Sequence, residues 1–424
     1  MKVFLKVLLL IVFMSSIAHA QMQTAPPTPP PPTVPNTSED ETATHRAKSA
    51  VSSMVRSHKY KLGIFRILPR LSAHSGYDSD AVFREEEFIG DYYINAEPAA
   101  SVAVKLGSRA YVELLEQLSF VYYKELDERR DIFNTTHGRF VTGTERLLTT
   151  FDAGYYNRNS PVDEEIDIPI EHKVITGGVN VGYDLSYRID LLGHVNVSQS
   201  EYEAQEELNE FLPKPFDRRS LSVGTGINYR LRENLALTGD FTTAYSESLE
   251  SDRTSSAWSV LGGVGIRRRR LLGNVNLGFG RSGQTGADKR NTFLVNMNLN
   301  YQVSRRVTAG LFVGRYQSFS GLVDANVRIT TTGGVRSTVR LTSRLSLSGS
   351  FSIGQNDFGD ELIINGEVVD KDYFQRGQLT LGYRIISNLV VNGGILYLDR
   401  NSDIRVLDRD RVAFILGLGY STTF

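Results

Sequence analysis

The sequence predicts an all-β chain: a transmembrane antiparallel up-and-down β-barrel of about 18 strands, with 16 as the alternative count, behind a disordered Pro-rich N-terminal segment. Three observations predict it. From about Lys61 onward, segments of ten to fifteen residues alternate apolar and polar side chains. The connections between them are short and long in turn. The final segment is amphipathic and ends on an aromatic residue, Phe424. A period of two sends alternate side chains to opposite faces of a sheet, and segments of this length exceed the usual strand of a soluble sheet.

The chain opens with a segment patterned for secretion. Lys2 and Lys6 supply positive charge, Val7 to Phe13 form a short apolar run, and Ala18-His19-Ala20 offers small residues for cleavage before Gln21. Residues 1–20 are therefore assigned as a signal peptide; the apolar run is too short to cross a bilayer. With no Cys anywhere, lipid-modified cysteine, disulfides, thiolate nucleophiles and Cys-metal sites are excluded. Residues 21–59 are assigned as a Pro-rich periplasmic tether. Pro26, Pro27, Pro29, Pro30, Pro31, Pro32 and Pro35 sit among Thr and Ala, followed by a polar run from Thr37 to Arg46. Such a stretch buries no apolar area and is expected to be extended, whether as a spacer or as a segment docking a partner or entering the pore.

Residues 60–424 form the barrel. The clearest strand runs from Asn291 to Val303, with Phe293, Val295, Met297, Leu299, Tyr301 and Val303 on one face. Thr292, Asn296, Asn298, Asn300 and Gln302 lie on the other. Downward strands are read near 97–107, 129–141, 172–187, 217–231, 255–269, 290–303, 325–341, 372–385 and 409–424. Upward strands are read near 62–75, 110–124, 145–157, 190–203, 234–247, 272–282, 306–318, 344–357 and 388–400. The 129–141 segment alternates poorly; read as a loop, it lowers the count to 16. Glu116 also breaks the pattern, falling on the apolar face with Val112, Leu114, Leu118 and Phe120. Either the register differs there or Glu116 meets a partner subunit. An even strand number places both termini on the periplasmic side of a Gram-negative outer membrane.

The last strand carries Val412, Phe414, Leu416, Leu418, Tyr420, Thr422 and Phe424 on one face. Leu416, Leu418, Tyr420 and Phe424 are assigned as the signal for the barrel-assembly machinery, because an amphipathic strand with a free edge adds to another sheet and then closes.

Two places resemble the outer-membrane β-barrel porin 2 family, found among proteins of exopolysaccharide and capsule clusters. The first is Leu62-Gly63-Ile64-Phe65-Arg66-Ile67-Leu68-Pro69-Arg70-Leu71 with Tyr77-Asp78-Ser79-Asp80-Ala81-Val82-Phe83, similar to that family's opening strand and turn. Asp80-Ala81 stands where the family has Asn. The second is Asn401-Ser402-Asp403-Ile404 with Leu407-Asp408-Arg409-Asp410-Arg411-Val412, similar to its final loop. The resemblance implies a channel conducting an exported polysaccharide, with periplasmic export proteins as partners and no catalytic residues.

Charge divides between the two rims. The short turns are basic, with Arg109, Arg188, Arg230, Arg232, Arg267 to Arg270, Arg305, Arg306, Arg340, Arg344 and Arg384. The long loops are acidic, at Glu85 to Glu87, Asp163 to Glu165, Glu201 to Glu210, Glu247 to Asp252 and Asp357 to Asp372. Such a division either draws an anionic polymer inward or anchors the barrel at lipid phosphates, with the acidic loops binding cations beside lipopolysaccharide. Parity assigns Arg66, Arg70, Lys105, Asp184, Asp240, Arg328, Arg336 and Arg340 to the pore lining, where bases outnumber acids and weak anion preference is expected.

No enzyme is predicted, and no cofactor or metal. His45, His58, His74, His137, His172 and His194 fall on separate segments without metal-ligand spacing. Leu261-Gly262-Gly263-Val264-Gly265 lacks the helix that a nucleotide loop needs, and a net charge of −1 gives no hint of nucleic acid. The alternatives to polysaccharide export are a general diffusion porin or small-solute channel, and a structural or adhesive barrel whose outer loops bind ligands.

Overall fold

From Phe65 to Ser421 the backbone rises and falls through one continuous antiparallel sheet in the computed structural model. The structure describes residues 43–84, 87–126, 131–161, 169–203, 217–250, 253–284, 289–320, 327–364, 367–402 and 408–421. A helix, α1 (Ala43–Ser57), precedes a three-residue strand, β1 (Tyr60–Leu62). The wall follows as β2 (Phe65–Arg84), β3 (Glu87–Lys105), β4 (Ala110–Tyr123), β5 (Asp131–Gly143), β6 (Leu147–Pro161) and β7 (Pro169–Asp184). It continues through β8 (Ile189–Tyr202), β9 (Arg218–Arg232), β10 (Leu235–Ser248), β11 (Thr254–Arg268), β12 (Leu271–Gln284) and β13 (Arg290–Gln302). The last six are β14 (Val307–Phe319), β15 (Val327–Arg340), β16 (Leu345–Ile364), β17 (Glu367–Ile386), β18 (Leu389–Asn401) and β19 (Arg409–Ser421).

Each strand from β2 to β19 pairs with its sequence neighbour, and β19 returns to β2 through Ala413↔Asp78 to Ser421↔Arg70. The sheet is thus closed by 18 strands, and closure removes the free edges that an open sheet exposes. β1 pairs with the foot of β2, Tyr60↔Ile67, on the edge that β19 occupies higher up.

The predicted count of 18 strands holds, and three details follow. The poorly alternating 129–141 segment is a strand, β5, so 16 is ruled out. The first hairpin is longer than the readings 62–75 and 97–107 allow, because β2 and β3 stay paired up to Arg84↔Glu87. β16 and β17 likewise extend past 344–357 and 372–385 to Ile364↔Glu367. Both extensions follow a register shift, between Asp78 and Val82 and between Asp357 and Leu362. Beyond the shift the sequence no longer alternates, as in Val82-Phe83 and Leu362-Ile363-Ile364, so the period of two that marks a strand is lost there. Within the segment assigned to 21–59, residues 43–57 form α1, while 21–42 lie outside the described residues, as do 1–20.

The outward face keeps the predicted apolar set. Val112, Leu114, Ile175, Leu221, Leu277, Phe293, Leu311 and Ile395 are all exposed among the described residues. Leu416, Leu418 and Tyr420 sit on this face of β19; Phe424 lies outside the described residues. Glu116 is outward too, in register with Ala100 and Thr136, and accepts a bond from Thr136 Oγ1 at 2.5 Å. The register is as read, so the carboxylate does stand among apolar neighbours.

Candidate functional site

The inner face of a wide closed barrel lines a bore, and strand register decides which charges meet there. Following the paired rows around the wall places all eight sequence-assigned lining residues on that face. Arg66 (β2) opposes Ala103, and Lys105 (β3) opposes Tyr111. Asp240 (β10) stands between Gly226 and Leu261, and Arg336 (β15) between Gly310 and Ser350. Not all of them reach open space. Arg328 is 2% exposed, its Nε donating to Ser318 Oγ at 3.1 Å, and Asp184 at the foot of β7 is buried. Arg70, Lys105, Arg336 and Arg340 are exposed.

The two sides of the bore differ. On β2 to β10, acids and bases alternate and are largely paired with each other. Arg139 Nε meets Asp152 at 2.7 Å with His137 at 3.3 Å, and Arg230 meets Asp190 at 2.9 Å. Glu97, 2% exposed, accepts from Ser72 and Asn95. On β12 to β18 the described inner face is almost free of unpaired acid: Asp372 is spent on Arg400 and Asn356, and Asp357, at the register shift of β16, on Arg290. That wall otherwise carries many Ser, Thr, Asn and Gly residues, interrupted by Leu294, Phe312, Phe374 and Leu396, with Arg336 and Arg340 on β15 and Arg376 and Arg384 on β17. The bore therefore has one balanced wall and one basic wall.

Helix α1 changes the balance again. Ala47, Val51 and Met54 are 0 to 4% exposed and pack on the inner-face residues Ala103, Tyr111 and Val141, with Leu148 beside them. The helix thus lies within the bore, near the short turns, against β3 to β7. Gly143 makes its seat: a Cβ there would stand 2.5 Å from that of Ala47. Its end is pinned by His58, whose Nδ1 lies 3.0 Å from the Met54 carbonyl oxygen and Nε2 2.7 Å from Ser101 Oγ. Ser101 in turn donates to Glu113 at 2.6 Å, and Arg66 Nη1 reaches the Val55 carbonyl oxygen at 3.5 Å. The opposite helix face is exposed and carries Lys48 and Arg56. Glu113, still 23% exposed, is thus engaged through His58 and Ser101, while Lys48 and Arg56 stand on the helix face turned away from this wall.

The long-loop end is drawn together. Arg218 at the top of β9 donates from Nη1 to the Phe319 carbonyl oxygen at the top of β14, 3.2 Å away. Such a bond between strands five apart crosses the opening. Arg290 reaches Asp357 at 2.8 Å, skipping two strands. At the seam between the first and last wall strands, Arg411 grips Asp78 with Nε at 2.9 Å and Nη2 at 2.6 Å, and Arg409 meets Asp80 at 3.4 Å. All four are nearly fully buried. The acidic stretches 163–165, 204–210 and 251–252 lie outside the described residues.

Sequence reading missed α1, the inner-face acids Glu97, Glu113, Asp152 and Asp190, and Arg376 of β17, and placed Arg384 only at the rim. The helix had a signal, since Ala47, Ala50, Val51, Met54 and Val55 follow the helical i, i+3, i+4, i+7, i+8 spacing. The histidines stay dispersed: among the described residues, no group of three ligating side chains forms a metal site.

Known structures share this fold. The chain matches OccAB3 of Acinetobacter baumannii with a TM-score of 0.50 at 12% identity, covering 84% of this chain and 99% of that one. A BenF-like porin from Pseudomonas fluorescens matches with a TM-score of 0.50 at 9% identity, over 84% and 98%. The FrpB iron transporter of Neisseria meningitidis gives 0.49 at 10% identity, and the 82% of this chain that matches spans 64% of that one. No protein-family model and no curated protein matches the sequence. The fold is that of outer-membrane β-barrels.

Proposed function

We propose that this chain is an outer-membrane channel favouring anionic, hydroxyl-rich solutes, with an exported polysaccharide as its cargo. One observation carries the proposal: the inner wall from β12 to β18 holds Arg336, Arg340, Arg376 and Arg384 among many Ser, Thr and Asn residues, and its described acids, Asp372 and Asp357, are already paired. Hydroxyls and amides replace the hydration of a sugar, and unbalanced guanidinium groups raise the local concentration of anions. The bare apolar exterior supports placement in a bilayer, with the short turns and both termini on the periplasmic side. The resemblance of the two chain ends to the polysaccharide-associated family supports the cargo. In that setting β19, with Leu416, Leu418 and Tyr420, together with the Phe424 that ends the sequence, is the segment offered to the assembly machinery. Lipopolysaccharide surrounds the outer rim, and periplasmic export proteins meet the inner one.

A second reading, a channel for small solutes, is favoured by α1 inside the bore and by the contacts that narrow the long-loop end. Purified protein in planar bilayers tests both. A salt gradient is expected to give a reversal potential of the anion-preferring sign; cation preference, or no conductance, overturns the proposal. Neutral oligosaccharides of increasing length then separate the cargoes. Continued permeation by long chains supports the polymer, and a cut-off at a few sugars supports the small solute.

A further inference from the structure

We propose that Arg336 and Phe312 form a subsite within the bore for a carboxylated ring, a sugar acid, an inference that rests on the anion channel above and names the group it recognises. On the inner face of β14 and β15 four positions make a block, with Gly310 opposite Arg336 and Phe312 opposite Gly334. Each large side chain lies down across the glycine facing it. A Cβ on Gly310 would stand 2.8 Å from Arg336 Cγ and Nε, and one on Gly334 would stand 2.6 Å from Phe312 Cζ. Both groups are therefore laid against the wall rather than standing free in water.

Arg336 is then held from β13. Its Nη2 donates to Asn298 Oδ1 at 2.6 Å and to Asn300 Oδ1 at 2.9 Å, and its Nε donates to Asn300 Oδ1 at 3.2 Å. Asn300 Nδ2 donates to Asn298 Oδ1 at 3.2 Å, which turns both amide oxygens toward the guanidinium. These partners are neutral. Arg139, Arg230 and Arg411, also on the inner face, spend their charge on Asp152, Asp190 and Asp78. Arg336 is exposed, has no carboxylate partner among the described residues, and uses only Nε and Nη2, so the N–H groups of Nη1 remain for a ligand.

A planar guanidinium fixed in place binds a carboxylate with little further ordering. Phe312 beside it offers a flat face whose negative quadrupole receives the C–H groups of a sugar ring. Asn296, Thr332, Ser350 and Ser352 supply hydroxyl and amide partners on the adjoining rows. Inorganic phosphate lacks the ring, and an aliphatic acid gains nothing from the aromatic face. A uronic acid uses both.

The test employs the full-length protein in planar bilayers, with trigalacturonate and maltotriose as acidic and neutral probes. Trigalacturonate is expected to interrupt the current for at least tenfold longer than maltotriose. R336Q should shorten the acid's dwell by roughly tenfold to a hundredfold and leave maltotriose unchanged. R336K keeps the charge without the planar fork and should recover only part of that loss, whereas F312A should shorten both dwells. Equal dwell of the two sugars in the native protein, or an R336Q variant indistinguishable from it, overturns the subsite. Anion selectivity without acid dwell defeats the subsite and leaves the channel standing. Absence of conductance defeats the channel, and equilibrium dialysis of trigalacturonate against the detergent-solubilised protein, native versus R336Q, then decides the subsite.

Discussion

Removing Arg411 from the seam should cost more than removing both members of its pair. Asp78 is 0% exposed and Arg411 is 6% exposed, and they meet through two charge-assisted bonds, 2.9 and 2.6 Å, where β2 closes against β19. Asp78 Oδ1 also accepts the Asp80 amide at 3.1 Å. R411Q leaves that amide as the main described partner of a carboxylate shut away from water. Stranding a buried charge in this way costs about 3–5 kcal/mol, whereas replacing both partners by neutral groups of similar volume is close to neutral. Expected losses are therefore about 3–5 kcal/mol for R411Q and no more than about 1–2 kcal/mol for D78N/R411Q. The assay is reversible urea unfolding in lipid vesicles, followed by the emission of Trp258, the single tryptophan, which stands on the outward face of β11. Loss of the electrophoretic shift between folded and unfolded barrels gives an independent reading. If R411Q costs less than about 1 kcal/mol, or if the double variant is as unstable as the two single losses added, the seam is not held by this pair.

Two other perturbations read the helix and the exterior. G143L fills the seat of Ala47 and should dislodge α1, forfeiting about 2–3 kcal/mol of apolar packing. Trypsin should then cut at Lys48 and Arg56 roughly a hundredfold faster while the barrel stays resistant. Unchanged cleavage would mean that the helix is not seated on Gly143. E116L replaces an outward carboxylate with an apolar group and should stabilise the barrel in vesicles by about 1–2 kcal/mol. A loss of stability instead, together with loss of a higher-order species on native gels, would mean that Glu116 meets a partner subunit.

Strand number and face were legible because a period of two is a local property. Asn291 to Val303 announces both of its faces without reference to any neighbour, and the structure keeps them. The tops of the long hairpins were not legible. Asp78, Asp80 and Asp91 read as loop residues, yet all three are buried within extended strands, because salt bridges and backbone bonds there replace the apolar and polar faces that mark a strand elsewhere. The seat of α1 on Gly143 joins residues nearly a hundred positions apart, which no local pattern encodes. Arg336 could be placed on the inner face by parity. That it lies over Gly310 and rests on two amides depends on which residue β14 puts opposite it, and that is a matter of register between strands.

Register also explains why counting lining charges is a poor guide to selectivity. Six bases and two acids were assigned from parity, but Arg328 and Asp184 are buried, and Arg66 is committed to a helix carbonyl group. The acids added by the structure, such as Asp152 and Asp190, have guanidinium groups within 3 Å, so each such pair contributes a dipole rather than a net charge. A dipole's field falls faster with distance than that of a lone charge, and the space between the walls is filled with screening electrolyte. In the channel proposed above, what acts on an ion is the set without a described acid partner, Arg336 and Arg340 on β15 and Arg376 and Arg384 on β17, together with Lys48 and Arg56 on α1. The helix is then more than an obstruction. By engaging Glu113 through His58 and Ser101 and presenting Lys48 and Arg56, it adds basic charge to the balanced side of the short-turn mouth. Dislodging it with G143L should consequently lower anion preference even as the opening widens, whereas a passive plug would widen the opening and leave the reversal potential where it was.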